Sequence, residues 1–168
     1  GGDFNARLFE RQSTEHEVIG PFLLESKEYQ NAKTTKHHLG INDHTLENRT
    51  MFIDFLRVYK LVAVNTFWEK PPNKLVTYKE KVKEHNPARD EYQGENQPPV
   101  DHTKYAQCDY VLTKPRWKGN FTDIEAKTDQ HRMSDHIPLY FNLNVEVKAK
   151  AKEAREEPAG PKNFRPDT

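Results

Sequence analysis

Cysteine is nearly absent: Cys108 is the only one in 168 residues, so no intramolecular disulfide can form. A net charge is absent too, with 26 Lys and Arg against 26 Asp and Glu. A zero total does not announce nucleic-acid binding, which usually leaves a basic footprint, although a local basic stripe can sit inside a neutral sum. No apolar run is long enough to span a membrane, and the first residues show no signal-peptide pattern. Intracellular is the default location, with a targeting segment upstream of Gly1 left open. Internal repeats are missing. Core-forming residues are scarce: Leu, Ile, Val and Phe together number 35 of 168. That lies just above the composition at which disorder becomes the default, so a core is possible but thin.

What is present is a set of short polar motifs. Gly1-Gly2-Asp3-Phe4-Asn5 places a carboxylate and a carboxamide two residues apart. On an extended strand this spacing points both to one face and turns Phe4 into a core. The glycines permit a tight turn and close approach. Ser134-Asp135-His136 supplies a second carboxylate and an imidazole near the other end. Between them, Asp109 sits in the apolar stretch Cys108-Asp109-Tyr110-Val111-Leu112. A carboxylate there needs a partner, because an unpaired buried charge is costly; His136 is the obvious candidate.

In chain order, residues 6–48 read as a polar loop around the apolar cluster Val18–Leu24, turned at Gly20-Pro21. His16, His37, His38 and His44 in that region read as solvated rather than as a metal cluster. Phe52, Phe55, Leu56 and Tyr59 make one helical stripe, predicting a helix over about 50–60 capped by Asn48 or Thr50. Leu61–Val64 reads as a buried strand and Leu75–Lys79 as its hairpin partner. Residues 80–104, with Pro87, Pro98 and Pro99, read as a surface loop. Lys74, Lys79, Lys81 and Lys83 could meet a phosphate backbone, but read better as a solvated face. Tyr105–Thr113, Phe121–Thr128 (an edge strand) and Ile137–Val147 are the remaining predicted strands. Trp117 is expected to pack against the sheet. Residues 148–168 read as a charged tail or linker, with an exposed helix over Lys148–Glu157.

The three motifs, in this order, resemble the C-terminal half of the endonuclease/exonuclease/phosphatase family. Asp3 and Asn5 match its Gly-Asp-x-Asn motif, Asp109 its Asp-Tyr strand, and Asp135 and His136 its closing Ser-Asp-His. The stretch between is most similar to the endonuclease domains of non-LTR retrotransposons. There Asn48-Arg49-Thr50, Leu61–Phe67 and Leu75–Lys79 resemble that branch's helix, "N-T-x-F" strand and "T-W/Y" strand. The resemblance covers residues 1–147 and implies an α/β (α+β) fold, part of a four-layer DNase I-like sandwich. The family's N-terminal half, with its metal-binding Asn and Glu, has no counterpart here. The chain therefore reads as a fragment, a decayed copy or a mis-bounded gene model.

The resemblance implies phosphodiester hydrolysis with Mg²⁺ or Mn²⁺. Asp3 would orient or deprotonate the water, and Asn5 would donate to a phosphate oxygen. Asp135 would help bind the metal. His136 would contact the phosphate and stabilise the transition state, with Asp109 fixing its tautomer and raising its pKa. The expected partner is DNA in a parent protein, nuclear and linked to a reverse transcriptase domain. Without the metal-binding Glu, this chain by itself is expected to be inactive or nearly so. Two rivals remain: a phosphoesterase of the same fold acting on lipid, inositol phosphate or RNA, and a domesticated non-catalytic nucleic-acid-binding domain like that of craniofacial development protein 2-like proteins.

Overall fold

The computed structural model describes residues 1–24, 40–80, 104–127 and 134–146. The architecture mixes one long helix with short antiparallel strands, an α+β arrangement. The strands are β1 (Gly2–Asp3), β2 (Val62–Ala63), β3 (Tyr78–Lys79), β4 (Tyr105–Ala106), β5 (Asp109–Tyr110), β6 (Leu112–Thr113), β7 (Phe121–Ala126) and β8 (Leu139–Leu143), and the helix is α1 (Asp43–Tyr59). They pair β1 with β5, β2 with β6, β3 with β4 and β7 with β8. No helix among the described residues is long and apolar enough to cross a membrane.

Helix α1 starts earlier than its aromatic stripe predicts. Asn42 accepts from the Thr45 amide at 2.9 Å while the Thr45 hydroxyl accepts from the Asn42 amide, a reciprocal cap that outcompetes Asn48 and Thr50. The buried face is Arg49, Phe52, Ile53 and Leu56, whereas Phe55 lies at its margin and Tyr59 is more than half exposed. The face is rotated because Arg49 turns inward to a buried carboxylate. Its guanidinium donates to both oxygens of Glu15, at 2.9 and 2.6 Å, and to the Glu10 carbonyl at 2.7 Å. Residues 6–24 are consequently not a loop on the surface: Ala6, Leu8, Val18, Ile19 and Leu23 pack under α1 with Tyr110.

Two strand expectations are corrected. β3 is not the hairpin partner of β2; it pairs with β4, and β2 with β6. The predicted strand Tyr105–Thr113 is three short pieces, each paired with a different partner. The chain can change partners because Gln107, Cys108 and Val111 interrupt the ladders while staying buried. The predicted tail at 148–168, residues 81–103 of the predicted loop at 80–104, and His37 and His38 lie outside the described residues; His16 and His44 are exposed.

Gly20 shows why the Gly-Pro turn needs glycine. A Cβ there would stand 2.2 Å from the Thr66 carbonyl oxygen. The Gly20 amide donates to the Thr66 hydroxyl at 2.7 Å, and the Phe22 amide donates to the Thr66 carbonyl at 3.0 Å.

Candidate active site

The site grows from one register. β1 lies antiparallel to β5 with Gly2 opposite Tyr110 and Asp3 opposite Asp109. The Phe4 amide continues the pairing to the Cys108 carbonyl at 3.0 Å. Phe4 turns inward as expected, its ring 4.7 Å from that of Phe52. The extended backbone stops there. Asn5 has φ 47°, in the left-handed region, and its amide donates to the Asp3 carboxylate at 2.7 Å. Asp3 and Asn5 thus line one pocket because the chain turns, not because a strand alternates. Residues 1–3 are exposed rather than the end of a buried strand. The Asn48 side chain holds the turn from α1, donating to the Asn5 carbonyl at 3.0 Å.

Asp109 is held by two buried polar side chains. The Thr77 hydroxyl accepts from the amides of Cys108 and Asp109, both at 3.0 Å. The Asn65 carboxamide donates to the Asp109 carbonyl at 3.3 Å and accepts from the Val111 amide at 3.1 Å. Thr77 and Asn65 therefore satisfy backbone groups that the broken strand leaves without ladder partners.

His136 arrives on a third segment. The Ile137 amide donates to the Thr77 carbonyl at 2.7 Å, and the Lys79 amide to the Asp135 carbonyl at 2.9 Å. Tyr78 bridges to His136, and its ring meets the imidazole edge-on at 5.4 Å. The Ser134 hydroxyl accepts from the His136 amide at 3.0 Å. These bonds set the imidazole between two carboxylates: Nδ1 is 2.9 Å from Asp109 Oδ2 and Nε2 is 3.5 Å from Asp3 Oδ2. Burial pulls the His136 pKa down, but the Asp109 hydrogen bond and the charges of Asp109, Asp3 and Asp135 outweigh it and leave the pKa raised. The protonated imidazole is the form that can donate at both nitrogens.

Asp3, Asn5 and His136 line a pocket of about 250 Å³ together with Arg7, Tyr78, Lys104 and Cys108. The ligand atoms of Asp3, Cys108, Asp109 and His136 lie within 4.8 Å of one another. As a donor set for a hard cation this is uneven. Burial, followed by the charges of Asp109 and Asp3, pushes the Cys108 thiol up, so it stays protonated. The imidazole is engaged by carboxylates on both nitrogens. The oxygen donors remain, and Mg²⁺ characteristically takes one or two carboxylates and completes its shell with water and phosphate oxygens. Asp3, partly exposed, fits that role. Asp135 stands outside the four-residue set, yet its charge reaches the imidazole.

The structure therefore brings Asp3, Asn5, Asp109 and His136 together and leaves Asp135 at the margin. Thr77, Asn65, Arg7, Lys104 and Cys108 were given no part in the site from the sequence, and Asn48 was read only as a helix cap. Thr77 and Asn65 were within reach, because each is a polar residue inside an apolar run. Lys74, from the basic cluster, is instead paired with Glu125 at 2.7 Å. Trp117 is half-exposed rather than packed flat on the sheet. Compared with family models, curated proteins and solved structures, the chain matches none.

Proposed function

We propose that this chain carries the phosphate-facing part of a divalent-metal-dependent phosphodiesterase, with DNA as the favoured substrate, in the manner of a retrotransposon endonuclease. The observation that supports the reading is the line Asp3–His136–Asp109, with 3.5 and 2.9 Å contacts on either side of one imidazole. Charge favours it as well. Asp3, Asp109 and Asp135 gather around one imidazole, an arrangement that suits a divalent cation, while the basic side chains of Arg7 and Lys104 line the same pocket and suit an anion. A centre that holds a phosphate and a cation together needs both signs.

In this reading Asp109 keeps His136 oriented and protonated. His136 donates through Nε2 to a phosphoryl oxygen as negative charge develops, and Asp3 gives up that contact to receive the attacking water. Asn5 donates its carboxamide N–H to a second phosphoryl oxygen. Asp3, with help from Asp135, would hold Mg²⁺ or Mn²⁺. When bound, the ion would neutralise charge on the phosphoryl group. The fold this implies is a portion of a DNase I-like sandwich. With so few hard oxygen donors in place, turnover by this chain alone is expected to be very slow.

The test follows the His136 ring signals by NMR in the full chain with Mg²⁺. A duplex oligonucleotide, an RNA, inositol hexakisphosphate and sphingomyelin micelles are titrated in turn. The duplex is expected to shift the ring signals most, with the effect lost in Asp3→Asn and on adding EDTA. If no phosphoester moves His136, the reading fails. A larger response to RNA, inositol phosphate or lipid would overturn the DNA assignment and retain the phosphoesterase centre.

A further inference from the structure

The second large concavity lies away from the Asp3–His136 pocket. It is an open groove of about 810 Å³ beside β8, lined by Trp117, Phe121, Leu143 and Val145 among others. β8 pairs with β7 along one edge, and among the described residues nothing pairs with the other edge. Phe141, Leu143 and Val145 share the face that carries Ile124 on β7, but they overhang the core. They are 47 %, 44 % and 65 % exposed, and Trp117 beside them is 50 % exposed.

The sequence of this edge lacks the usual safeguards. Leu139-Tyr140-Phe141-Asn142-Leu143-Asn144-Val145 contains no charge and no proline. Edge strands ordinarily carry Lys, Pro or a bulge that blocks pairing with another chain. The only irregularity in the β7–β8 pair lies at Phe121/Asp123, on the β7 side. The end of the strand is pinned rather than frayed: the Asn144 amide donates to the Asn120 carbonyl at 2.8 Å, and the Asn120 side chain to the Asn144 carbonyl at 2.9 Å. The exposed Met51, Phe55, Val58 and Tyr59 form a second apolar stripe, on α1, but a helix bonds its backbone internally and offers no open strand edge beside it.

We infer that the open edge of β8 and the apolar ledge of Trp117, Phe141, Leu143 and Val145 form an interface with a second copy of this chain. An antiparallel pairing of β8 with its own copy is self-complementary and makes a four-stranded sheet, β7–β8–β8–β7. A two-fold axis normal to that sheet keeps both ledges on one face, where they cover each other. Trp117, Phe141, Leu143 and Val145 are each about half-exposed, so covering them on both copies removes on the order of 900 Å², and the paired edge backbone adds the remainder needed for the ~1,200 Å² at which stable interfaces begin. The zero net charge removes long-range repulsion between copies. The pairing uses the open edge of β8 on both sides, so assembly closes at two.

Sedimentation velocity on the full chain tests this, over concentrations from about 1 to 100 µM, the range expected for a small interface. The expected result is a reversible shift from the 19.7 kDa species toward twice that mass. Leu143→Lys and Val145→Lys should each weaken the dimer at least about tenfold, because each buries a charge at the seam. Met51→Lys, at an exposed position of α1 outside this seam, should leave it unchanged. Far-UV circular dichroism confirms folding of each variant, and Trp117→Gln gives a second disruption outside the strand. A monomer at every concentration, open-ended aggregation, or equal weakening by Met51→Lys would overturn the inference.

Discussion

Thr77→Val isolates the contribution of one hydroxyl to the site. Thr77 is fully buried, and its Oγ1 is the acceptor for two buried amides, those of Cys108 and Asp109, at 3.0 Å each. Valine fills nearly the same space, so little cavity forms and the loss is almost wholly of acceptor. A buried donor left unsatisfied costs about 1–3 kcal/mol, so two set the expected loss at about 2–6 kcal/mol. With a urea dependence of about 2 kcal/mol per molar, the unfolding midpoint should fall by about 1–3 M. Domains of this kind hold only about 5–15 kcal/mol in total, so the effect is large. The functional consequence is separate from the stability loss. Asp109 is displaced, its hydrogen bond to His136 lengthens, and the His136 pKa drops back toward its ordinary value. Thr77→Ser keeps the hydroxyl and should restore both the midpoint and the pKa. A Val variant as stable as the parent, or a Ser variant no better than Val, would refute the assignment of Thr77 as the group that positions Asp109.

Other consequences can be checked by the same unfolding measurements. Arg49→Met leaves Glu15 buried without its partner and should cost about 3–5 kcal/mol, whereas the double change Glu15→Leu with Arg49→Met should recover most of it. Gly20→Ala drives a methyl into the Thr66 carbonyl and should prevent folding or lower the midpoint severely. His136 has a raised pKa in the folded chain, so its contribution is fully present below about pH 6.5, the unfolded value, and is lost as pH rises through the folded value. That decline should be absent in His136→Ala, and a parallel decline in the variant would show that the imidazole is not its source.

How much of this was legible in the sequence divides along a physical line. Asp3, Asn5 and His136 were readable as short polar motifs, and Asp109 because a carboxylate in an apolar stretch needs a partner. That need made His136 a candidate, and the 2.9 Å contact between them matches it. The inward turn of Phe4 and the existence of α1 were readable from periodicity. The start of α1 was misplaced because an Arg–Glu pair, not an apolar side chain, occupies one turn of its buried face, and hydrophobic patterning cannot register Arg49. Strand pairing was misread because a short strand carries no label for its partner. Tyr78 is closer in sequence to Ala63 than to Ala106, yet it pairs with Ala106, since the hydroxyl of Thr77 fits the amides at 108 and 109. The left-handed turn at Asn5 was missed because asparagine tolerates φ > 0 without demanding it.

The register of β1 against β5 is itself an argument about function. It sets Asp3 directly across from Asp109, and like charges in that position destabilise an antiparallel pair. Two residues on, Asn5 adopts a left-handed backbone that most L-residues avoid and that asparagine tolerates. Departures from local preference that coincide in one pocket mark places where stability has been traded for chemistry. The trade is measurable because His136 lies between the two carboxylates. When the imidazole is protonated, Asp3 is attracted to it. When it is neutral, Asp3 feels mainly Asp109, with Asp135 nearby adding to the negative potential. Asp3→Asn, which still can accept from the Asn5 amide, should therefore change sign with pH. At about pH 9 it should stabilise by a few tenths to about 1 kcal/mol, the scale of a cross-strand pair, and at about pH 5.5 it should be neutral or destabilising. Urea midpoints of parent and variant at the two pH values decide it. Equal destabilisation at both would mean that Asp3 serves the turn alone, and that the facing carboxylates carry no cost for a catalytic role to explain.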